Sequence, residues 1–440
     1  MRVLAIFLTI LITTPAMVSA GQEFPGEPID SHLYLTWATL TMDVNNWADD
    51  YPEIVDLTSA GNTELGKDLW VVRLSDWSME TKADGSSKEI VYIDGGHHGN
   101  EHLGTALAWL AAKWYIEEWA AGNDEAIRVL QNSEIHILIM LNADGNDANT
   151  RWNVNQVDLN RNYDHYWNTC PTTQPGNSAF SESETLANSI YMNTVVPDAD
   201  LYVTMHTGVW IMLYPWGKWP DQPTDWELFH FIRDDVHANI SDIPIQNANQ
   251  GLYPNCGTSR DYGYGIMGFP TFTFETDDEQ WAPGSAEPVP DRLAEELDVM
   301  RYLIDNVWYW RARLTVDSLT IQDDIVTFDV TNHGRATTRN ATLQYLNENQ
   351  EIMWESNNFT VNATNITSVS ASGFNFENGA WRLSYQKRLI DSAKWVNESV
   401  NDSIVVIIDD EKSSWLGGPA ILDFNLYILI FIGAALIRKY

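Results

Sequence analysis

Ile90-Val91-Tyr92-Ile93-Asp94 runs directly into Gly95-Gly96-His97-His98-Gly99-Asn100-Glu101. The apolar, β-branched and aromatic residues read as a buried strand, the glycines end it, and His102 to Ala120 follows as a helical stretch. Strand, glycine-rich loop and helix in that order define an α/β unit, and such sheets place their chemistry just beyond the strand ends. In this loop His98 and Glu101, three residues apart, can direct an imidazole nitrogen and a carboxylate oxygen at one ion. Taken alone, the pair fits a solvated loop better than a metal site.

Outward from this stretch the same alternation continues. Leu69 to Leu74, Ile135 to Leu141, Leu201 to Met205 and Phe269 to Phe274 read as strands, and Glu182 to Met192 and Asp291 to Arg311 as helices. Residues 30–312 therefore read as one α/β domain, a sheet covered by helices. From Leu314 the pattern changes to short alternating runs such as Ile325-Val326-Thr327-Phe328-Asp329-Val330, which predict a small all-β sandwich over residues 313–410. The run Leu201 to Met205 ends at His206, a third ligand of the right type in the right sheet position. Two histidines and one glutamate leave a fourth position open, the catalytic arrangement of zinc rather than the closed structural one.

Composition narrows the partners. Sixty-one acidic residues against 25 basic ones give a formal charge of −36 over 440 residues, which argues against a nucleic-acid partner. With two cysteines in the chain, a metal site must rest on histidine and carboxylate. Residues 1–20 carry Arg2, an apolar run from Val3 to Ile12 and Val18-Ser19-Ala20, the pattern of a cleaved export signal. Residues 411–440 read as a linker and a C-terminal anchor: the apolar Ala420 to Ile437 is broken by Asp423 and Asn425 and followed by Arg438 and Lys439. A buried apolar tail is the alternative. Asn-x-Ser/Thr sequons at Asn340, Asn358, Asn362, Asn365, Asn397 and Asn401 fit an exported, glycosylated surface, or simply a polar β surface.

Cations are scarce where the chemistry concentrates. Between Glu134 and Thr276 five basic residues face seventeen acidic ones, and three of the five, Arg151, Arg161 and Arg260, lie in Asn- or Gly-rich loops. Such placement suits recognition of an anion, since a guanidinium grips a carboxylate with two hydrogen bonds; surface ion pairs are the alternative.

The ordered series Gly95-Gly96-His97-His98-Gly99-Asn100-Glu101, Asp158-Leu159-Asn160-Arg161-Asn162-Tyr163, Ser181-Glu182-Ser183-Glu184-Thr185, His206, Tyr214-Pro215-Trp216-Gly217 and Phe272-Thr273-Phe274-Glu275 resembles the zinc metallocarboxypeptidases of the carboxypeptidase A type. Its His-Gly-Asn-Glu form is similar to the regulatory branch of that family. The resemblance implies a mixed β-sheet flanked by helices, a hydrolase acting on peptide or protein C-termini, and one Zn2+ per chain. It implies that His98, Glu101 and His206 bind the zinc and that Asn160 and Arg161 grip the terminal carboxylate. Arg151 matches the oxyanion-stabilising arginine, Glu275 the general base and Tyr253 the tyrosine that closes over substrate. Arg260, fifteen residues before Glu275, matches the floor of the pocket for the last residue and implies a preference for terminal Glu or Asp; pairing with Asp261 or an outward turn is the alternative. Cys170 and Cys256 lie near the Arg161 and Tyr253 motifs and suit a disulfide in an exported protein. His97 and His102 are expected to support the site rather than bind the metal. Two alternatives stay open: an amidohydrolase of the same fold acting on γ-glutamyl cell-wall peptides, and a catalytically silent surface binding protein.

Overall fold

Eight strands form the central sheet of the computed structural model: β1 (Val55–Asn62), β2 (Asp68–Leu74), β3 (Glu89–Gly95), β4 (Ser133–Leu138), β5 (Leu201–Thr207), β6 (Ile211–Tyr214), β7 (Ile245–Asn247) and β8 (Thr271–Thr276). Their order is β1-β2-β4-β3-β5-β8-β6-β7. The pairs β4–β3, β3–β5 and β5–β8 are parallel, while β1–β2, β2–β4 and β6–β8 are antiparallel, so the sheet is mixed. The structure describes residues 35–171, 174–276, 289–322, 325–347, 349 and 351–372, with shorter pieces between 379 and 408. The signal segment and the C-terminal anchor expected from the sequence lie outside these residues. Among the described residues no helix is long and apolar enough to cross a membrane.

Strand alternation sends side chains to two cores. Val91, Ile93, Leu201, Val203, Met205, Phe272 and Phe274 pack on one face with the helices Trp37–Asp50, His102–Ala120, Trp226–Asn239 and Val289–Asp305. Tyr92 and Tyr202 turn to the other face, against Ala187, Tyr191 and Met192 of the helix Ser183–Thr194 and Tyr262 of Ser259–Gly265. With both faces covered, the central strands are largely buried, and His98, Glu101, His206 and Glu275 lie at or just beyond the carboxyl ends of β3, β5 and β8.

Several boundaries differ from the sequence expectation. The last strand begins at Thr271 rather than Phe269, because the Phe269 amide donates to Gly263 O at 2.9 Å and Pro270 has no N–H to give a ladder. β4 ends at Leu138, short of Leu141. The closing helix stops at Asp305, six residues before Arg311, and a 3₁₀ turn over Val307–Tyr309 follows. Arg311 leaves the helix to pair with Asp200 across 3.1 Å, both side chains fully buried.

Beyond it, Leu314–Gln322, Ile325–Asn332, Ile366–Ser372 and Val405–Ile408 form one small sheet, and Thr338–Asn347, Ile352–Glu355, Gly379–Gln386 and Asn397–Val400 lie in a second. Val326, Phe328 and Val330 alternate inward to a shared core with Leu343 and Leu383. Arg313 reaches Glu89 at 3.3 Å and Leu389 N donates to Gly268 O at 3.0 Å, so this β domain is docked on the α/β domain.

Glu184, in the first turn of the helix Ser183–Thr194, is fully buried and its Oε1 has no hydrogen-bond partner. Burial pushes its carboxyl up to about 7 from 4.5. The folded chain therefore binds this proton more tightly than the unfolded chain, and stability falls as pH rises from 4.5 towards 7. Glu184→Gln removes that loss and is expected to raise Tm at pH 8 by about 2–4 °C relative to its effect at pH 4. A Tm difference from wild type that does not change between the two pH values, measured by calorimetry, contradicts this.

Candidate active site

The site is assembled by close approach of backbone. Gly96, at φ 69°, turns the chain out of β3 in the left-handed region open to glycine. Gly104 lets the helix His102–Ala120 touch the end of β5: a Cβ there would sit 2.8 Å from both His206 N and His206 O. Glu101, which precedes that helix, is thereby brought against His206. The parallel register of β5 and β8 sets His206 beside Glu275.

His98 Nδ1 lies 2.6 Å from Glu101 Oε1, and His206 Nδ1 lies 2.8 Å from Glu101 Oε2. One donor atom from each of the three residues falls within 4.8 Å of the others. The donor set fits zinc: two imidazole Nδ1 atoms and a carboxylate converge, while both Nε2 atoms are engaged behind, by Asp158 Oδ1 at 2.9 Å and by Asn160 Nδ2 at 3.1 Å. The electrostatics fit as well. Burial lowers His98, but Glu101 and Asp158 outweigh it and hold the imidazole up at about 9. Burial and the negative charge of Glu101 push Glu275 up to about 8. A cation held among these groups would offset the repulsion between the two glutamates and favour the ionised form of Glu275.

Asp158 is the residue the sequence reading passed over. Its Oδ1 accepts from His98 and from the Asn160 amide at 3.0 Å, and its Oδ2 accepts from Arg151 Nε at 3.1 Å and Nη2 at 2.9 Å. Burial would raise its pKa, yet His98, Arg161 and Arg151 hold it well below the carboxylate range. Its signal was present, two residues before Asn160 in the same motif. Arg151 completes the contact by reaching Glu101 Oε1 with Nη1 at 3.2 Å.

Asn160 Oδ1 accepts from Ser259 N at 3.0 Å, which locks its amide orientation. Arg161 donates from Nη2 to the Tyr253 hydroxyl at 3.1 Å and from Nη1 to Asn160 O at 2.7 Å. Tyr253 itself is about half exposed, at 47%. Arg260 is buried, with Nε on Asp261 Oδ1 at 3.0 Å and Nη2 on Asn255 Oδ1 at 2.8 Å. Cys170 and Cys256 are joined, their Cα atoms 5.6 Å apart, and pin the segment after Tyr253. His97 is fully buried, stacks on His206 and bonds Tyr163 Oη at 2.9 Å, and His102 bonds Asn149 at 3.0 Å.

A family model described as zinc carboxypeptidase matches residues 41–288, more than half of the chain. The chain belongs to the zinc carboxypeptidase family. It is 25% identical over 278 residues to mast cell carboxypeptidase A of Homo sapiens, covering 56% of this chain and 63% of that protein. To carboxypeptidase SOL1 of Arabidopsis thaliana it is 28% identical over 284 residues, covering 60% of this chain and 55% of that protein. The match thus spans little more than half the length of these relatives. Among solved structures, thrombin activatable fibrinolysis inhibitor aligns with TM-score 0.55 at 20% identity, covering 63% of this chain and 75% of that one. Carboxypeptidase A from Helicoverpa armigera aligns with TM-score 0.51 at 21% identity, covering 62% and 72%. These likenesses establish the fold.

Because Asp158 orients His98, Asp158→Asn is expected to weaken zinc binding by about 10–100-fold, measured by competition with a chromophoric chelator. An affinity within twofold of wild type contradicts the role given to Asp158.

Proposed function

We propose that this chain is a zinc-dependent carboxypeptidase that hydrolyses the last peptide bond of peptides or proteins and prefers a terminal Glu or Asp. The observation that carries the first part is convergence: Arg161 with Tyr253, Arg151, Glu275 and the His98-Glu101-His206 trio are tied together through Asp158, Asn160 and the β5–β8 register. Zinc at that trio supplies a Lewis acid and lowers the pKa of water to about 7.

The chain's own groups then divide the work. Asn160 and Arg161 hold the terminal carboxylate, and Tyr253, already within reach of Arg161, covers it from the solvent side. That clamp makes the reaction an exopeptidase reaction, because a bond far from a free carboxylate is not positioned. Glu275 takes the proton of the attacking water and passes it to the leaving amine. Arg151, fixed by Asp158, faces the oxygen on which negative charge develops and stabilises it.

The acidic preference rests on Arg260. Asp261 and Asn255 occupy its Nε and Nη2, and its Nη1 has no protein partner among the described residues. Thr273, on the same strand face as Glu275 and two residues before it, has a buried hydroxyl without a partner. An apolar terminal side chain leaves both groups unpaired, at a cost of about 1–3 kcal/mol each, whereas a carboxylate satisfies them. Export, with the C-terminal segment as a tether, stays part of this reading on the sequence pattern of residues 1–20 and 411–440.

Release of the terminal residue from blocked dipeptides tests the reading. Glu275→Gln should lower kcat by about 10³-fold or more while retaining stoichiometric zinc, and a chelator should abolish wild-type activity. Peptides ending in Glu should be cut faster than those ending in Leu or Lys. Full activity in Glu275→Gln overturns the assigned chemistry, and equal rates on the three termini overturn the preference.

A further inference from the structure

The amide of Asn255 bridges two parts of the site that the sequence motifs treat separately. Its Oδ1 accepts from Arg260 Nη2 at 2.8 Å, and its Nδ2 donates to Tyr253 O at 2.7 Å. Its backbone N–H donates to Gly217 O at 3.0 Å, and the residue is 5% exposed. Every polar group of the side chain is thus committed, one to the pocket arginine and one to the backbone of the tyrosine that meets Arg161. Neighbours fix the bridge from both sides. Gly217 packs so closely that a Cβ there would lie 2.1 Å from Asn255 Oδ1 and 2.3 Å from Arg260 Nη2. Gly217 N also donates to both oxygens of Asp261, the second anchor of Arg260, at 2.9 and 3.1 Å. On the other side Cys256 is tied to Cys170, and Gly257 lies against Arg161, where a Cβ would be 2.4 Å from Arg161 O.

We propose that Asn255 is the positioning residue that sets the preference for an acidic terminal residue, by holding the Arg260 guanidinium with its free edge towards the pocket and tying it to the Tyr253 backbone. The proposal rests on the acidic-pocket reading above. Its physical content is pre-organisation. A free arginine side chain has many rotamers to lose, and one already anchored at Nε and Nη2 loses little more when a carboxylate binds at Nη1. Without the Asn255 amide the guanidinium pivots on Asp261 alone, and its charge is directed mainly at that carboxylate. Asp261 cannot do the selecting, because its negative charge opposes an acidic side chain; a neutral acceptor such as an amide orients the guanidinium without neutralising it.

That difference makes the test asymmetric. In the zinc-loaded full chain, kcat and KM are measured for blocked dipeptides ending in Glu and in Leu, for wild type, Asn255→Ala and Asn255→Asp. Asn255→Ala should lower the Glu-to-Leu ratio of kcat/KM about tenfold, chiefly through KM for the Glu peptide. Asn255→Asp, nearly the same shape, should lower it further, because a second carboxylate then neutralises Arg260. A merely structural Asn255 gives the opposite order, with Asp close to wild type. Gly217→Ala, which crowds the same amide from the other side, should shift the ratio in the same direction and provides the reading if Asn255→Ala does not fold. A wild-type ratio at or below one overturns the acidic pocket itself. A wild-type preference for Glu that survives in Asn255→Ala, or is restored in Asn255→Asp, overturns only the role of Asn255.

Discussion

The site depends on one buried carboxylate. Asp158 touches His98, the backbone of Asn160 and the guanidinium of Arg151, so the groups proposed to bind metal, to clamp the terminal carboxylate and to stabilise the oxyanion share a single anchor. Burying an ionised carboxylate is costly unless it is paired and fully hydrogen-bonded, and here each oxygen has at least two donors. The same contacts that stabilise Asp158 determine where the three working groups stand. A change in one group's position is therefore transmitted to the others through atoms less than 3.2 Å apart.

Around that anchor the sheet supplies the geometry. β3, β5 and β8 run parallel and side by side, so residues at or just beyond their carboxyl ends meet without any long loop having to order itself. His98, His206 and Glu275 were legible in the sequence for this reason: each follows a short apolar run, and the glycines at 95, 96 and 99 mark where the first run must turn. Asp158 and Asn255 were much less so. A carboxylate in a loop looks like any of the 61 in the chain, and an asparagine next to a cysteine shows nothing of a partner until the fold brings Arg260 to it. The end of the closing helix escaped for a different reason. Apolar residues continue at helical spacing through Val307 and Trp310, both buried, although the α-helix has already ended at Asp305. Periodicity reports which side chains are buried, and does not report which carbonyls are still bonded. The strands β1 and β7 were missed because one is a half-exposed edge strand with polar residues and the other is three residues long.

The acidic composition takes on a narrower meaning beside this geometry. A charge of −36 serves solubility over most of the surface, and against it the three arginines concentrate positive charge in one place. Arg151 and Arg260 are each paired with an aspartate, which holds their position at the cost of part of their charge. Among the described residues Arg161 bonds a hydroxyl and a carbonyl and no carboxylate directly, so more of its charge is left for the proposed clamp.

In the proposed reaction a free terminal carboxylate, held at Asn160 and Arg161, positions the bond to be cut. The most direct measurement compares kcat/KM for one blocked peptide with its C-terminal amide, on the same zinc-loaded chain. A loss of about 10³-fold or more on amidation is the expected result, since the charge-assisted clamp and the orientation it provides vanish together. Comparable cleavage of the amidated peptide contradicts the account.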